Sequence, residues 1–269
     1  MSDQLLCSID GEIAPIGEGR ISVADDGFLR GDGAFEVLRL YGGKPFALDD
    51  HLTRLGRTAD GIFLDWDRDA FEREIEALLK ANELLDECLR FVITRGGRRI
   101  AIVEQAPIFR HDMSLQSVTY EPTVVLTGLK TLSYCANMTA TRIAQSRGAK
   151  EALLVARGGK VLEAPTSTIF WATAEGSLRT PSLDTGILAS ITRDRILQIV
   201  PVEEGEYQVS DVLDASEVFL ASSVREVQGV AEVDGLTFQS PGPVTQRISG
   251  LLAERIQAEL TGALNLEGG

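Results

Sequence analysis

The chain has 269 residues, enough for one large domain or two, and its 40 acidic side chains outnumber 26 basic ones. The net charge of −14 argues against nucleic acid and against anionic membrane surfaces, both of which attract basic faces. No apolar run approaches the roughly 20 residues that span a bilayer, and the N-terminus "MSDQLLCSIDGE" has neither the basic region nor the apolar core of a signal peptide.

Three scattered cysteines, Cys7, Cys88 and Cys135, form no CxxC pair and fit a reducing cytoplasm with buried free thiols. The two histidines, His51 and His111, have no cysteine or second histidine nearby, so no metal site is expected.

In chain order, "LLCSIDGEIAPI" reads as a hairpin with Asp10-Gly11 at its turn, and "GAFEVLRLYGGKPF" as a second with Gly42-Gly43. The period then changes. Leu52, Leu55, Ala59 and Ile62 share one helical face, with Asp49 or Asp50 as the cap. "RDAFEREIEALLKANELL" predicts an amphipathic helix through Phe71, Ile75, Leu78 and Leu79, and "ECLRFVITRGGRRIAIVEQ" two strands around Gly96-Gly97.

Residues 107–122 lose periodicity and are read as a linker. Val124 to Leu126 suit a buried strand. Residues 151–181 predict two strand pairs, turning at Gly158-Gly159 and Glu175-Gly176, with Glu163 ending the strand "KVLEAP". A helix opening at Ser190 or Thr192, a short helix capped by Ser210, a buried strand, a hairpin at Asp234-Gly235 and a closing amphipathic helix follow. Local strand pairs mixed with single helices give an α+β chain in two domains, residues 1–115 and 116–269.

The nucleotide motifs fail: "RGDGAFE" lacks the third glycine of GxGxxG, and "GGKV" and "GGKP" lack the P-loop spacing. Of five lysines, Lys44, Lys80, Lys150 and Lys160 read as surface residues, whereas Lys130 sits between an apolar run and a polar loop. Periodicity alone leaves Lys130 equally open to snorkelling to the surface. A lysine that forms a Schiff base with pyridoxal phosphate also needs a carboxylate facing the ring nitrogen and a cup for the phosphate. Glu163 offers the first, and Arg54, Ile191, Thr192, Ser222 and Ser223 are candidates for the second.

The succession "RGDGAFEVLRLYGGKPFALDDHLTRL", "LKTLSY", "GAKEALLVARGGKVLEAPTSTIF", "TPSLDTGILASITRDRIL" and "ASEVFLASSVREV" resembles the fold-type IV pyridoxal-phosphate enzymes, which include branched-chain and D-amino acid aminotransferases and aminodeoxychorismate lyases. The resemblance implies a small N-terminal α+β domain, a larger C-terminal pseudo-barrel domain and a homodimer. It implies that Lys130 carries the cofactor and shuttles the proton, that Glu163 pairs with the pyridinium nitrogen, and that Arg54, Ile191, Thr192 and Ser223 hold the phosphate. Tyr134 would bond the ring hydroxyl, and Phe35, Val37 and Ser222 would meet the substrate. Arg30 and Arg95 are assigned to a substrate carboxylate, because guanidinium forks match carboxylates. Three departures touch the substrate side: Thr168 stands where relatives carry asparagine, Arg30 where many carry tyrosine or phenylalanine, and Arg225 lies in a loop that often meets the substrate carboxylate. The expected reaction is amino transfer between an amino acid, D-amino acids favoured over branched-chain L-amino acids, and a 2-keto acid, with aminodeoxychorismate cleavage to pyruvate as the alternative.

Overall fold

The computed structural model describes residues 5–82 and 86–263. The chain divides into two compact units, one formed by Met1–Pro107 with Leu129–Tyr134, the other by Ile108–Gly128 with Cys135–Gly269. The lysine segment expected in the C-terminal domain is therefore part of the first unit.

The first unit carries strands β1 (Leu6–Ile9) and β2 (Glu12–Pro15), helix α1 (Asp26–Arg30), strands β3 (Gly33–Tyr41) and β4 (Lys44–Pro45), helices α2 (Leu48–Gly61) and α3 (Arg68–Lys80), and strands β5 (Cys88–Thr94) and β6 (Arg99–Glu104). They form a six-stranded sheet in the order β2-β1-β6-β5-β3-β4. Both N-terminal hairpins and the β5–β6 pair form as the sequence predicts. Because side chains alternate along a strand, Ala34, Leu38 and Leu40 of β3 face one way and pack with Leu52, Leu55 and Ala59 of α2 and Phe71, Ile75 and Leu78 of α3.

Helix α2 is not capped by Asp49 or Asp50. Its N-cap is Ala47, with φ +54°, and the two aspartates lie in the first turn, where they complement the helix dipole. The expected end of α3 at residues 83–85 lies outside the described residues.

The second unit carries β7 (Met113–Thr119), α4 (Cys135–Ser146), β8 (Glu151–Val155), β9 (Thr168–Ala172), β10 (Leu178–Pro181), α5 (Ile191–Ile199), β11 (Glu203–Gly205), α6 (Val209–Leu213), β12 (Glu217–Ser222), β13 (Glu226–Val233), β14 (Leu236–Thr237) and α7 (Pro243–Leu260). The sheet runs β11-β10-β9-β12-β13-β7-β8, with β14 paired to β13.

The linker expected at residues 107–122 is corrected by β7, whose Met113, Leu115 and Val118 are buried and which pairs in parallel with β13 and β8. Those two neighbours fill both of its edges, so the sheet has no slot beside β7 for the strand expected at Val124 to Leu126. That segment is a 3-10 turn, with Val124 and Val125 exposed to 87% and 77%. Residues 159–163 run extended against β8 but make only isolated bridges rather than a full strand. Helix α6 is capped at Gln208 rather than Ser210, the Gln208 N–H donating to the Asp211 carboxylate at 2.7 Å. Cys7 and Cys88 are buried free thiols, whereas Cys135 is exposed on the first turn of α4.

Glu217, buried at the start of β12, fastens the closing helix. Its carboxylate accepts from the Val244 and Thr245 N–H groups and from the Thr245 hydroxyl, all at 2.9 Å. A Cβ at Gly242 would lie 2.2 Å from the Glu217 Cδ, so only glycine admits that approach. Glu217→Ala, which orphans donors at a buried helix start, is expected to lower unfolding free energy by about 2 kcal/mol. An unchanged urea midpoint would show that α7 does not depend on this carboxylate.

Candidate active site

In the first unit the segment Leu129–Tyr134 is laid against the start of β3. The Phe35 N–H donates to the Lys130 carbonyl at 3.1 Å and the Leu132 N–H to the Gly33 carbonyl at 2.9 Å. The Lys130 N–H donates to the Thr58 hydroxyl of α2 at 3.2 Å, and that hydroxyl donates to the Arg54 carbonyl at 3.1 Å. Gly33 permits this packing, since a Cβ there would sit 2.3 Å from the Ile93 carbonyl oxygen. The Lys130 Nζ lies 4.4 Å from the centroid of the Phe35 ring and 5.6 Å from that of Tyr134. The two rings meet edge to face at 5.3 Å. An ammonium is drawn to aromatic faces, so the pair seats the amine tip at a defined point.

Beneath this lies a charge cluster that the sequence reading did not assign. Glu36 falls on the inward register of β3, between Ala34 and Leu38, and is fully buried. It takes a bidentate grip from Arg54, Nε to Oε1 at 2.7 Å and Nη2 to Oε2 at 2.6 Å, and a bond from His51 Nδ1 at 2.7 Å. Burial alone would raise the Glu36 pKa. The charge and hydrogen bonds of Arg54, helped by His51, outweigh it and lower the value to about 2. Burial holds the His51 pKa below its ordinary value, against the pull of Glu36. The ring is therefore neutral, with Nδ1–H donating to the carboxylate. One signal was available: a carboxylate on the buried register of an apolar strand needs partners, and His51 and Arg54 sit one turn apart on the buried face of α2.

Phe35 and Val37 share the opposite face of β3. Arg90, across from Val37 on β5, holds its Cζ 5.7 Å from the Phe35 centroid, and its fork bonds Glu104 at 2.6 and 3.0 Å. The other two arginines are engaged elsewhere. Arg30 is exposed and ion-paired with Asp26 within α1. Arg95 bonds Asp32 at 3.1 and 3.3 Å and the carbonyls of Ile62 and Phe63, tying down the end of α2.

In the second unit Glu163 is half-buried and accepts from the Leu188 N–H at 3.2 Å. Tyr120 lies close enough for the Glu163 charge to add to the upward push that burial gives its hydroxyl pKa. That hydroxyl bonds Asn137 at 3.0 Å, and Asn137 bonds the Pro165 carbonyl at 3.2 Å, bracing the turn after Glu163. Helix α5 starts after Ser190, whose hydroxyl accepts from the Arg193 N–H at 3.3 Å. This leaves Ile191 and Thr192, both buried, as the residues whose N–H groups point out of the helix start, where anions are favoured. Ser222 and Ser223, both half-buried, lie at the β12–β13 turn.

The chain belongs to the class IV amino-transferase family, whose model matches residues 33–233. It is 29% identical to a D-alanine aminotransferase of Bacillus licheniformis, over 93% of this chain and 96% of that protein. It is 27% identical to an aminodeoxychorismate lyase of Bacillus subtilis, over 88% of this chain and 90% of that protein. A solved fold IV transaminase from Curtobacterium pusillum, 26% identical, superposes with a TM-score of 0.84 over 93% of this chain and 99% of its own. The chain is thus an enzyme with the two-part mixed α and β architecture of fold IV transaminases.

Glu36 supplies a pH test. Its lowered pKa stabilises the fold above its ordinary value of 4.5, a contribution lost as pH falls towards about 2, and His51 adds a loss that begins below 6.5. Glu36→Gln, which strands the Arg54 charge, should cost about 3–5 kcal/mol at neutral pH and show a shallower loss of stability below pH 4.5. Denaturant titrations at neutral and acid pH measure both. An acid slope as steep as the parent's would remove Glu36 from the account.

Proposed function

We propose that the enzyme transfers the amino group of a D-amino acid to a 2-keto acid, with pyridoxal phosphate, the cofactor of the class IV family, held by Lys130. The observation that carries this reading is the seat of the Lys130 amine over Phe35 and Tyr134, in a chain most of whose length aligns with a D-alanine aminotransferase. The donor set fits the cofactor: an amine for its aldehyde, a half-buried carboxylate for its ring nitrogen, and an arginine with a helix start for its phosphate.

When bound, pyridoxal phosphate supplies an aldehyde and an electron-withdrawing ring. Lys130 would hold it covalently, and its amine would be the base that takes the proton from the substrate α-carbon. Glu163 keeps the ring nitrogen protonated, its carboxylate oriented by the Leu188 N–H. Arg54, with its guanidinium plane fixed by Glu36, would bind phosphate, and Ile191, Thr192 and Ser223 are the proposed N–H and hydroxyl donors to it. Tyr134 bonds the ring hydroxyl and packs on Phe35. Phe35, Val37 and Ser222 meet the substrate. Arg30 and Arg95, the choices from sequence for the substrate carboxylate, pair with Asp26 and Asp32. Arg90, a guanidinium beside Phe35 and Val37 whose fork bonds Glu104, joins them as a candidate for that role.

We also propose a homodimer. Support comes from exposed apolar residues in one stretch of the first unit, Ile21, Val23, Phe28 and Leu29, a grouping that marks association surfaces. Light scattering should give twice the 29.1 kDa chain mass, and Phe28→Asp should shift the protein towards monomer. A monomeric parent would remove the proposal.

The activity test offers D-alanine, L-leucine and aminodeoxychorismate separately, with and without a keto acid. D-Alanine should bleach the visible band of the bound cofactor and release pyruvate, and Lys130→Ala should lower turnover by about 10³-fold or more. Pyruvate from aminodeoxychorismate without a keto acceptor, with no response to D-alanine, would establish the lyase instead.

A further inference from the structure

Arg225 is charged, lies one residue before the left-handed Glu226, and yet is buried to 7% exposure. It belongs to the tight turn joining β12 to β13, across which Ser222 pairs with Glu226. The turn is held from within, the Arg225 N–H donating to the Ser222 hydroxyl at 3.2 Å. Glu226 adopts φ +56°, a conformation that a residue with a side chain keeps only when its surroundings enforce it.

The guanidinium of the residue before Glu226 is held from several sides. Its Nη2 donates to the Glu151 carboxylate at 2.8 Å and to the Thr166 hydroxyl at 3.3 Å, and its Nη1 donates to Gln228. The plane lies over the Phe109 ring, 4.9 Å from its centroid. Glu151 also accepts from Thr166 at 3.2 Å, and Gln228 passes the contact on to the Arg110 carbonyl. Thr166 sits in the turn closed by reciprocal Ala164 and Ser167 backbone bonds, three residues past Glu163. Both terminal nitrogens are spent on protein groups and the head is out of water, with the buried Nε alone left without a hydrogen-bond partner, so most of the guanidinium is built into the scaffold.

We propose that Arg225 is a positioning residue: one buried fork ties the turn bearing Ser222 and Ser223 to the turn that follows Glu163. The inference rests on the roles given above to those three residues. A planar guanidinium suits this because its donors are fixed in one plane, one terminal nitrogen reaching Glu151 and Thr166 while the other holds Gln228. A lysine would keep the charge but lose the second arm. The turn bearing Ser222 and Ser223 is thus held by an internal ion pair, so its shape is set before any substrate arrives.

Two variants of the holoenzyme test this. Arg225→Lys keeps the charge without the fork. The double variant Glu151→Leu/Arg225→Met removes both buried charges together, a replacement that is often neutral for stability. In both, the KM for D-alanine should rise about tenfold, as expected of a slightly misplaced contact, while the visible cofactor band is retained and the double variant unfolds at the parent's urea midpoint. A KM within about twofold of the parent's in either variant overturns the proposal. A role confined to stability would show as normal kinetics in the stable double variant. A parent with no cofactor band and no transamination would overturn this inference together with the functional reading. A working parent matched by its variants would overturn this inference alone.

Discussion

A carboxylate buried among leucines governs the first unit. Glu36 occupies a position that strand alternation assigns to the core, and an ionised acid there is tolerable only with its charge answered at hydrogen-bond distance. Arg54 and His51 answer it from α2. The cost of separating them fixes the rotation of α2 over the sheet, and with it the places of Thr58 and the Lys130 backbone it receives. The same contact sets the plane of the guanidinium assigned to phosphate. The packing and the proposed phosphate contact thus share one cluster, and Arg54 cannot be altered without disturbing the core.

The second unit uses acids in a similar way but at its seams. Glu217 receives the first N–H groups of α7, and Glu151 receives Arg225 across from the β12–β13 turn. In each case a carboxylate supplied by one strand holds an end or a turn of another element, where backbone donors or a strained residue would otherwise be left unsupported. Most other acids in this strongly negative chain are solvated, and their exposed pairs contribute little to stability.

Much of the fold was legible because alternation and helical periodicity report burial directly. The hairpins at Asp10-Gly11, Gly42-Gly43 and Asp234-Gly235 follow from turn chemistry, and α3, α5 and α7 from their apolar spacing or caps. Strand β7 was hidden because serine and glutamine occupy its outward positions and its partners lie far away in sequence. Val124 and Val125 misled for the complementary reason: apolar character says nothing about whether a neighbouring strand edge is open. At the site, Lys130 stood out as the one lysine out of place, whereas Glu36 and Arg90 act through cross-element contacts that no local pattern displays. The pairing of Arg95 with Asp32, 63 residues away, is likewise a property of tertiary geometry.

The path of the chain has a consequence for biosynthesis. After Pro107 the backbone enters the second unit, returns for Leu129–Tyr134, and leaves again. The edge of β3 is therefore completed by a segment made more than twenty residues after the rest of its sheet. Until that segment emerges from the ribosome, the Phe35 N–H and the Gly33 carbonyl await their partners, and the nascent sheet has an open border of the kind that invites wrong pairing. The lysine proposed to hold the cofactor arrives with the segment that completes this edge of the sheet, so a chain cut short at the apparent end of the first unit would lose both at once.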